Sequence, residues 1–303
     1  MIPTDIKTWG AEARARIDGR PVVASISGGK DSTAMGLLLK EAEIPFRAVH
    51  LATGWEHADT DRYVREYLPG VLGVEIEIVQ SPRGGMEDWI RRKGMFPSRV
   101  RRFCTQELKV RPIKEFLRTL DDPINAIGIR AGESAARANL PEWEDSDAHG
   151  CDVWRPLIQW TVQDVIDIHQ RHGVAPNPLY LRGADRVGCW PCIMARKSEI
   201  RFIADTDPER IDQIRALEAE LTAAAESRRH VGKAAMRVWF QAPIGGTGTG
   251  WPIDRVVEWS RTAHGGRQFE LFAPPAHEQG CMRWGLCETV AEEGDMGWAK
   301  ESA

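Results

Sequence analysis

The chain has 303 residues, 42% of them apolar and 28% charged, with a net charge of −4 at pH 7. That length can bury a substantial core, and the composition excludes a disordered or fibrous chain. No apolar run approaches the ~20 residues that cross a bilayer, and the opening MIPTDIKTWGAEARARIDGR lacks the apolar stretch of a signal peptide. The expected compartment is therefore the cytoplasm, where the six cysteines would serve metals or catalysis more readily than disulfides.

Residues 5–18 read as a leading helix, with Ile6, Trp9, Ala13 and Ile17 on one face. PVVASIS, ending at Ser27, is a short apolar run of the kind that forms a buried parallel strand, and STAMGLLLKEA (32–42) has helical content. Phe46 to Leu51 resembles a second strand, 59–68 a helix and 74–79 a third strand. This alternation predicts an α/β fold with a doubly wound, mostly parallel sheet. Further on, 108–120 reads as a helix and Ile124 to Ile129 as another buried strand, leading into GIRAGES. Thr161 is placed to N-cap a helix that Gly173 ends. From Pro208 to Arg229 the stripe Ile211, Ile214, Leu217 and Leu221 marks a helix, and a Gly-rich segment (244–250) precedes a Trp-bearing helix near 254–261. The expected division is a main domain over 1–200 and a smaller helical and loop region over 201–303.

The sharpest chemical signal is the strand end SGGKDS running straight into a helix. A Gly pair lets the backbone turn tightly and approach a ligand, and the helix start favours an anion through its free N–H groups and dipole. Lys30 adds a full charge, and the hydroxyls of Ser27 and Ser32 can donate. Asp31 would repel phosphate by itself, so a Mg²⁺ bridge is its natural role. The Walker pattern GxxxxGK[ST] is absent. A plain Gly turn with a surface lysine is the competing reading.

SGGKDS resembles the PP-loop of the ATP pyrophosphatase superfamily, and the wider chain resembles its phosphoadenosine phosphosulfate reductase family. The resemblance runs through Thr53-Gly54, Phe103-Cys104-Thr105 with Leu108-Lys109 and Pro112, and Gly128-Ile129-Arg130 with Glu133-Ser134 and Arg137. It continues through Arg155-Pro156-Leu157 with Trp160 and Asp164-Val165, Asn177 to Tyr180, and Arg186 to Cys192, spanning roughly residues 20–195. It implies an adenine nucleotide alpha hydrolase-like fold. ATP would be held by Ser27, Gly28, Gly29, Lys30, Asp31 and Ser32, with Thr53, Gly54 and Arg130 completing the site and Lys30 and Asp31 catalytic. Family members that bind a pre-made sulfonucleotide usually carry a degraded loop. This loop is intact, which resembles enzymes that make an adenylate themselves, such as the DndC-like sulfurtransferase branch and the iron-sulfur RNA thiolases. Reduction of adenylyl or phosphoadenylyl sulfate to sulfite, and a non-catalytic nucleotide-sensing subunit, are the alternatives.

Cys189-Trp190-Pro191-Cys192 is a CxxC, compatible by itself with a redox pair, a zinc site or iron-sulfur ligands. In the resembled family the Cys104 position meets the CxxC, and several members hold a [4Fe-4S] cluster there. Adenylylsulfate reductases place two adjacent cysteines at the first position, whereas this chain has Cys104-Thr105. The resemblance thus implies Cys104, Cys189 and Cys192 as ligands, with Cys287 preferred as the fourth and Cys281 left as a catalytic thiol. Zinc and buried unreactive thiols compete with the cluster, and Cys151 reads as a packed thiol.

Several other residues are candidates. Arg130 follows a strand end, where open α/β sheets bind ligands, or forms an ion pair with Glu133. Lys109 and Arg111 would touch phosphate, tune the cysteine site or simply be solvated, while Glu56 and His57 would contact a nucleoside or face solvent. Trp239, Trp251, Trp259 and Trp284 are core residues or base-stacking platforms. Six cations between Arg91 and Arg102, with no acidic residue among them, suit nucleic-acid phosphates. The expected partners are ATP, a sulfur donor such as a cysteine desulfurase and a nucleic-acid acceptor, with no membrane.

Overall fold

The structure, a computed structural model, describes residues 5–145, 150–227, 237–240, 250–262 and 284. Its first helix, α1 (Ile6–Ile17), is N-capped by Asp5 and buries Ala13 and Ile17. There follow β1 (Val22–Ser25), α2 (Lys30–Glu41), β2 (Arg47–Ala52), α3 (Ala58–Arg62), a π-helical turn Tyr63–Tyr67, α4 (Leu68–Leu72), β3 (Ile76–Gln80) and α5 (Met86–Lys93). Next come α6 (Phe103–Thr105), a second π-helical turn Gln106–Val110, α7 (Arg111–Leu117), β4 (Ile124–Ile127), a 3₁₀ turn Ala131–Glu133, β5 (Trp143–Glu144) and β6 (Asp152–Trp154). The chain continues through α8 (Val162–Arg171), α9 (Pro178–Leu181), α10 (Lys197–Thr206), α11 (Pro208–Ser227) and α12 (Ile253–Ser260).

The six strands lie in the order β3-β2-β1-β4-β6-β5 and pair in parallel, except for the edge strand β5, which is antiparallel to β6. The expected doubly wound, mostly parallel sheet is therefore observed. Alternate side chains of a strand face opposite sides, and both faces of β1 are covered. Val22 and Ala24 join the cluster built with Leu37 and Leu38 of α2 and Ile168 of α8, whereas Val23 packs with Ile113 and Leu117 of α7. Cys151 is buried in that second, smaller cluster, as a packed thiol.

The order in which strands are added reverses at β1 and β4: β2 and β3 lie on one side of β1, and β4 on the other. The carboxyl ends of β1 and β4 flank the crevice where open sheets take ligands. At this switch point Gly128 allows a close approach, since a Cβ there would lie 2.8 Å from the Asp31 carbonyl and 2.8 Å from the Ser32 Cα.

A further apolar cluster forms outside the carboxyl end of the sheet. It joins Trp55, Met86, Trp89, Phe96, Cys104 and Leu108 to Ile214 and Leu217 of α11 and Ile253 and Val256 of α12. Trp55 stacks on Trp239 at 6.1 Å. Glu218, buried on α11, accepts from the backbone N–H groups of Trp239 (2.7 Å) and Ile253 (3.0 Å) and so fixes both segments to the helix. Residue 200, the expected division, lies inside α10.

Several elements were not anticipated. The segment before α7 is helical from Phe103, ahead of the expected start at 108, so Cys104 sits inside a helical turn. The basic run begins as a helix, α5, and the short strands β5 and β6 extend the sheet.

Candidate functional site

The loop after β1 is built to present backbone. Gly28 adopts a φ of +75°, and a Cβ there would come within 2.7 Å of the Val64 side chain. Gly29 caps α2 with extended backbone and no side-chain cap, leaving that helix end open. Hydroxyls brace the turn: the Ser27 N–H donates to Ser32 Oγ (3.0 Å), the two serine oxygens are 3.0 Å apart, and Ser32 Oγ donates to the Gly29 carbonyl (3.0 Å). Asn177, fully buried, donates from Nδ2 to the Gly28 carbonyl and to Thr60 Oγ1, both at 3.2 Å. Ser27 to Ser32, the predicted phosphate loop, is thus a pre-formed turn and not a mobile tip.

Its charges are largely sheltered, with the Lys30 and Asp31 side chains 13% and 14% exposed. The Asp31 carboxylate accepts from Arg130 Nε and lies 3.5 Å from Lys30 Nζ. Arg130 is itself buried and comes from the loop after β4. Both readings of Arg130 from sequence are touched. It does reach the nucleotide-loop side of the crevice, while Glu133 is held by its backbone N–H (2.8 Å) rather than by its guanidinium.

Tyr180 is a residue whose role sequence reasoning missed, although it lay in the Asn177 to Tyr180 motif. Its hydroxyl accepts from the Lys30 N–H (3.2 Å) and its ring lies 5.2 Å from Lys30 Nζ. Trp284 packs against Tyr180 (5.8 Å) and edge-on to His169 (5.3 Å), and its carbonyl accepts from Gln170 Nε2 (3.0 Å). His169 is buried, donates Nδ1–H to the Val165 carbonyl (2.7 Å) and leaves Nε2 without a partner. Burial holds its pKa down at about 4.

The second half of the site lies past β2. Glu56 is neither solvated nor free: its carboxylate accepts from the Thr53 N–H (3.0 Å), the Thr53 hydroxyl (2.5 Å) and the Trp55 N–H (3.1 Å). It therefore ties the Thr53-Gly54 turn into a closed ring. Gly54 has a φ of +65°. His57 caps α3, accepting from the Asp59 N–H at 3.0 Å, and burial lowers its pKa.

The CxxC docks on this turn. Glu56 and Cys189 form an antiparallel bridge, the Trp190 N–H donates to the Trp55 carbonyl (2.8 Å), and Trp55 Nε1 donates to the Pro191 carbonyl (3.1 Å). Thr53 Oγ1 lies 3.8 Å from Cys189 Sγ.

Cys104 reaches the same place from α6, within electrostatic range of Cys189 and Cys192. Lys109, half-buried, sits among all three sulfurs and Glu56. The Cys189 sulfur above all keeps its ammonium charged, against the burial that would lower it. Burial pushes the Cys104 and Cys189 thiols up, while Lys109 and the Thr53 hydroxyl work against this at Cys189. Arg186 borders Cys192 and pairs with Glu199 at 3.2 Å. Arg111, by contrast, is exposed and pairs with Glu107 at 2.7 Å.

Among the described residues no three His, Cys, Asp or Glu side chains are close enough to hold a metal ion as they stand. Three thiols around one half-buried cation nevertheless form a donor set suited to a thiolate-bound centre. Cys281 and Cys287 lie outside the described residues. Among the described residues no helix is long and apolar enough to cross a membrane.

A 37.8 kDa protein of Escherichia phage 186, described as uncharacterized, is 33% identical over 328 residues, covering 88% of this chain and 96% of its own. Adenosine 5'-phosphosulfate reductase of Allochromatium vinosum is 28% identical over 178 residues, covering 57% of this chain and 68% of its own. Among solved structures, phosphoadenylyl-sulfate (PAPS) reductase from Candida auris matches with a TM-score of 0.48 and 18% identity, over 60% of this chain and 87% of its own. The phosphoadenosine phosphosulfate reductase domain profile matches residues 21–195, which is the stretch holding the loop after β1, the Thr53 turn, Arg130 and the CxxC, and the chain belongs to that family.

Proposed function

We propose that this protein is an ATP-dependent sulfurtransferase: it adenylates an acceptor, a nucleic acid, with release of pyrophosphate and then inserts sulfur. One observation carries the reading. A loop of phosphate-binding pattern after β1 and, after β2, a Thr53 turn with Cys189 3.8 Å from its hydroxyl stand at the same carboxyl edge of the sheet, and Cys104, Cys189 and Cys192 all act on Lys109 there.

ATP would lie with its phosphates on Ser27 to Ser32, at the open end of α2. Lys30 and Arg130 are the cations that meet charge developing on the departing pyrophosphate. A Mg²⁺ ion at Asp31 would take the place of one of the two cations now paired with that carboxylate. An acceptor oxygen attacks the α-phosphorus and pyrophosphate leaves. The outer sulfur of a persulfide supplied by the donor then attacks the activated atom, whose bond to oxygen breaks as AMP departs. A second thiol cleaves the remaining S–S bond, and the disulfide so formed is reduced by an external thiol. Cys104, Cys189 and Cys192 would hold a [4Fe-4S] cluster, or zinc, with Cys287 as fourth ligand and Cys281 as the sulfur-bearing thiol. Such a centre supplies sulfur binding or Lewis acidity when bound. The chain's own part is to keep the thiols beside Lys109, with Cys104 buried.

The second reading, reduction of a sulfonucleotide to sulfite, is favoured by the reductase relative from Allochromatium vinosum. The two separate cleanly when protein purified without oxygen is given ATP, Mg²⁺ and RNA or DNA, and pyrophosphate is measured. Acceptor-dependent pyrophosphate supports the proposal. Sulfite released from adenylyl sulfate, with no pyrophosphate from ATP under any acceptor, overturns it. Iron and sulfide analysis of the same sample decides the metal, since an iron-free, colourless preparation removes the cluster.

A further inference from the structure

The cations between Arg91 and Arg102 are more ordered than a solvated charge run, and they lead directly into the cysteine site. Three of them end α5, after which Gly94 turns the chain. Phe96 is then fully buried, packing edge-on to Trp239 at 5.6 Å. A tight turn follows, closed by the Ser98 N–H donating to the Arg101 carbonyl (3.1 Å) and the Arg101 N–H donating to Ser98 Oγ (3.1 Å). Arg102 opens α6, and Cys104 is buried again. Arg99 and Val100 therefore project from a turn anchored on both sides, with Val100 91% exposed.

Among the described residues acidic partners are seen at Arg91, which is paired with Glu87 and Glu220, both at 2.9 Å. Arg92 and Lys93, both exposed residues, hold their charged groups over the Trp89 ring, 5.7 and 5.5 Å from its centroid. On a chain of net charge −4, a stretch of twelve residues with six cations and no carboxylate is a strong local reversal of sign.

We propose that the Arg99–Arg102 turn, together with the Arg92-Lys93 end of α5, is the surface that grips the phosphate backbone of the nucleic-acid acceptor and leads it to the cysteine site. This rests on the proposed acceptor class and adds where the polymer lies. A polymer reaching the cysteines along this side meets a row of exposed cations two to twelve residues before Cys104, which can contact successive phosphates without reading sequence. The exposed Val100 tip gives an apolar contact for a sugar or base face.

The test uses the full chain and reads binding without ATP. A fluorescent single-stranded RNA, its DNA counterpart, the duplex and poly-glutamate are titrated between about 50 and 200 mM salt. Binding to nucleic acid is expected to weaken with salt. Arg99→Glu with Arg102→Glu is expected to lower affinity at least about tenfold and to reduce the salt slope by about one to two. Arg92→Gln with Lys93→Gln, on a separate element, should act in the same direction. Unchanged affinity and slope in both folded double variants, or no salt-dependent binding to any nucleic acid, overturns the proposal. Equal binding of poly-glutamate also overturns it, in favour of an acidic protein partner. If binding behaves as expected while no acceptor elicits pyrophosphate, the surface stands and the proposed reaction falls.

Discussion

Lys30 and Arg130 share the Asp31 carboxylate, but their removal should differ in effect. Lys30→Ala takes a charge from the phosphate loop while Arg130 still holds Asp31. It should leave the melting temperature nearly unchanged and lower ATP turnover by about 10²–10³-fold. Arg130→Ala leaves Asp31 facing Lys30 alone in the crevice and should lower both turnover and stability. Equal stability loss in the two variants would contradict this assignment. His169 makes a prediction in pH. Its folded-state pKa of about 4 lies below the ordinary 6.5, so the unfolded chain binds the extra proton between those values. Stability should therefore be full above about 6.5 and fall as pH drops toward 4, by up to about 3 kcal/mol from this residue. Burial acts in the same direction at His50. Denaturant melts of wild type and His169→Gln across that range check the point, and an equally steep fall in the variant would refute it.

At the scale of elements, the crevice depends on the carboxyl end of β4 lying against the start of α2. A Cβ at Gly128 would press on the backbone of Asp31 and Ser32, neither of which is a flexible side-chain tip. Gly128→Ala should cost about 1–3 kcal/mol and weaken nucleotide binding. Gly132→Ala, four residues on with no atom within 4 Å of its Cβ, should change stability by less than about 0.5 kcal/mol. Calorimetry on the pair tests whether close approach, rather than glycine itself, is what the loop needs. The strand and helix segments around this crevice were readable because β1 and α2 are short, strongly patterned and separated by an unmistakable Gly turn. The helical start at Phe103 was not, because its first turn carries little apolar periodicity and is held by packing of Cys104 and Leu108 into the outer cluster. Glu56 misled for a related reason: a lone carboxylate after a strand has no pattern to show that it will accept three local hydrogen bonds.

For the whole molecule, the outer cluster is what makes the cysteine site. Ile214 and Leu217 of α11 and Ile253 and Val256 of α12 cover Trp55, Met86 and Phe96, the residues from which the Thr53 turn and the basic turn are suspended. A chain ended after Thr206 would expose that apolar surface. It should give little soluble protein, or a melting temperature many degrees lower, even though the six-stranded sheet would be intact. A soluble, equally stable shortened chain would show that the sheet alone supports the site.

The sequence by itself determined the local signals: the strand-SGGKDS-helix unit at Ser27 to Ser32, the CxxC, the basic run and the strand–helix alternation that predicts the sheet. Each is a signal confined to a few neighbouring residues, where backbone freedom, charge and hydrophobic period act directly. Only the tertiary structure decided that Arg130 reaches Asp31 from the loop after β4, that Tyr180 lies beside Lys30, and that Lys109 stands among Cys104, Cys189 and Cys192. Apart from Lys109 and Cys104, which are neighbours in sequence, those pairings join residues about 80 to 150 positions apart, and what brings them together is the shared burial of the sheet's carboxyl edge, a property of the whole packed chain.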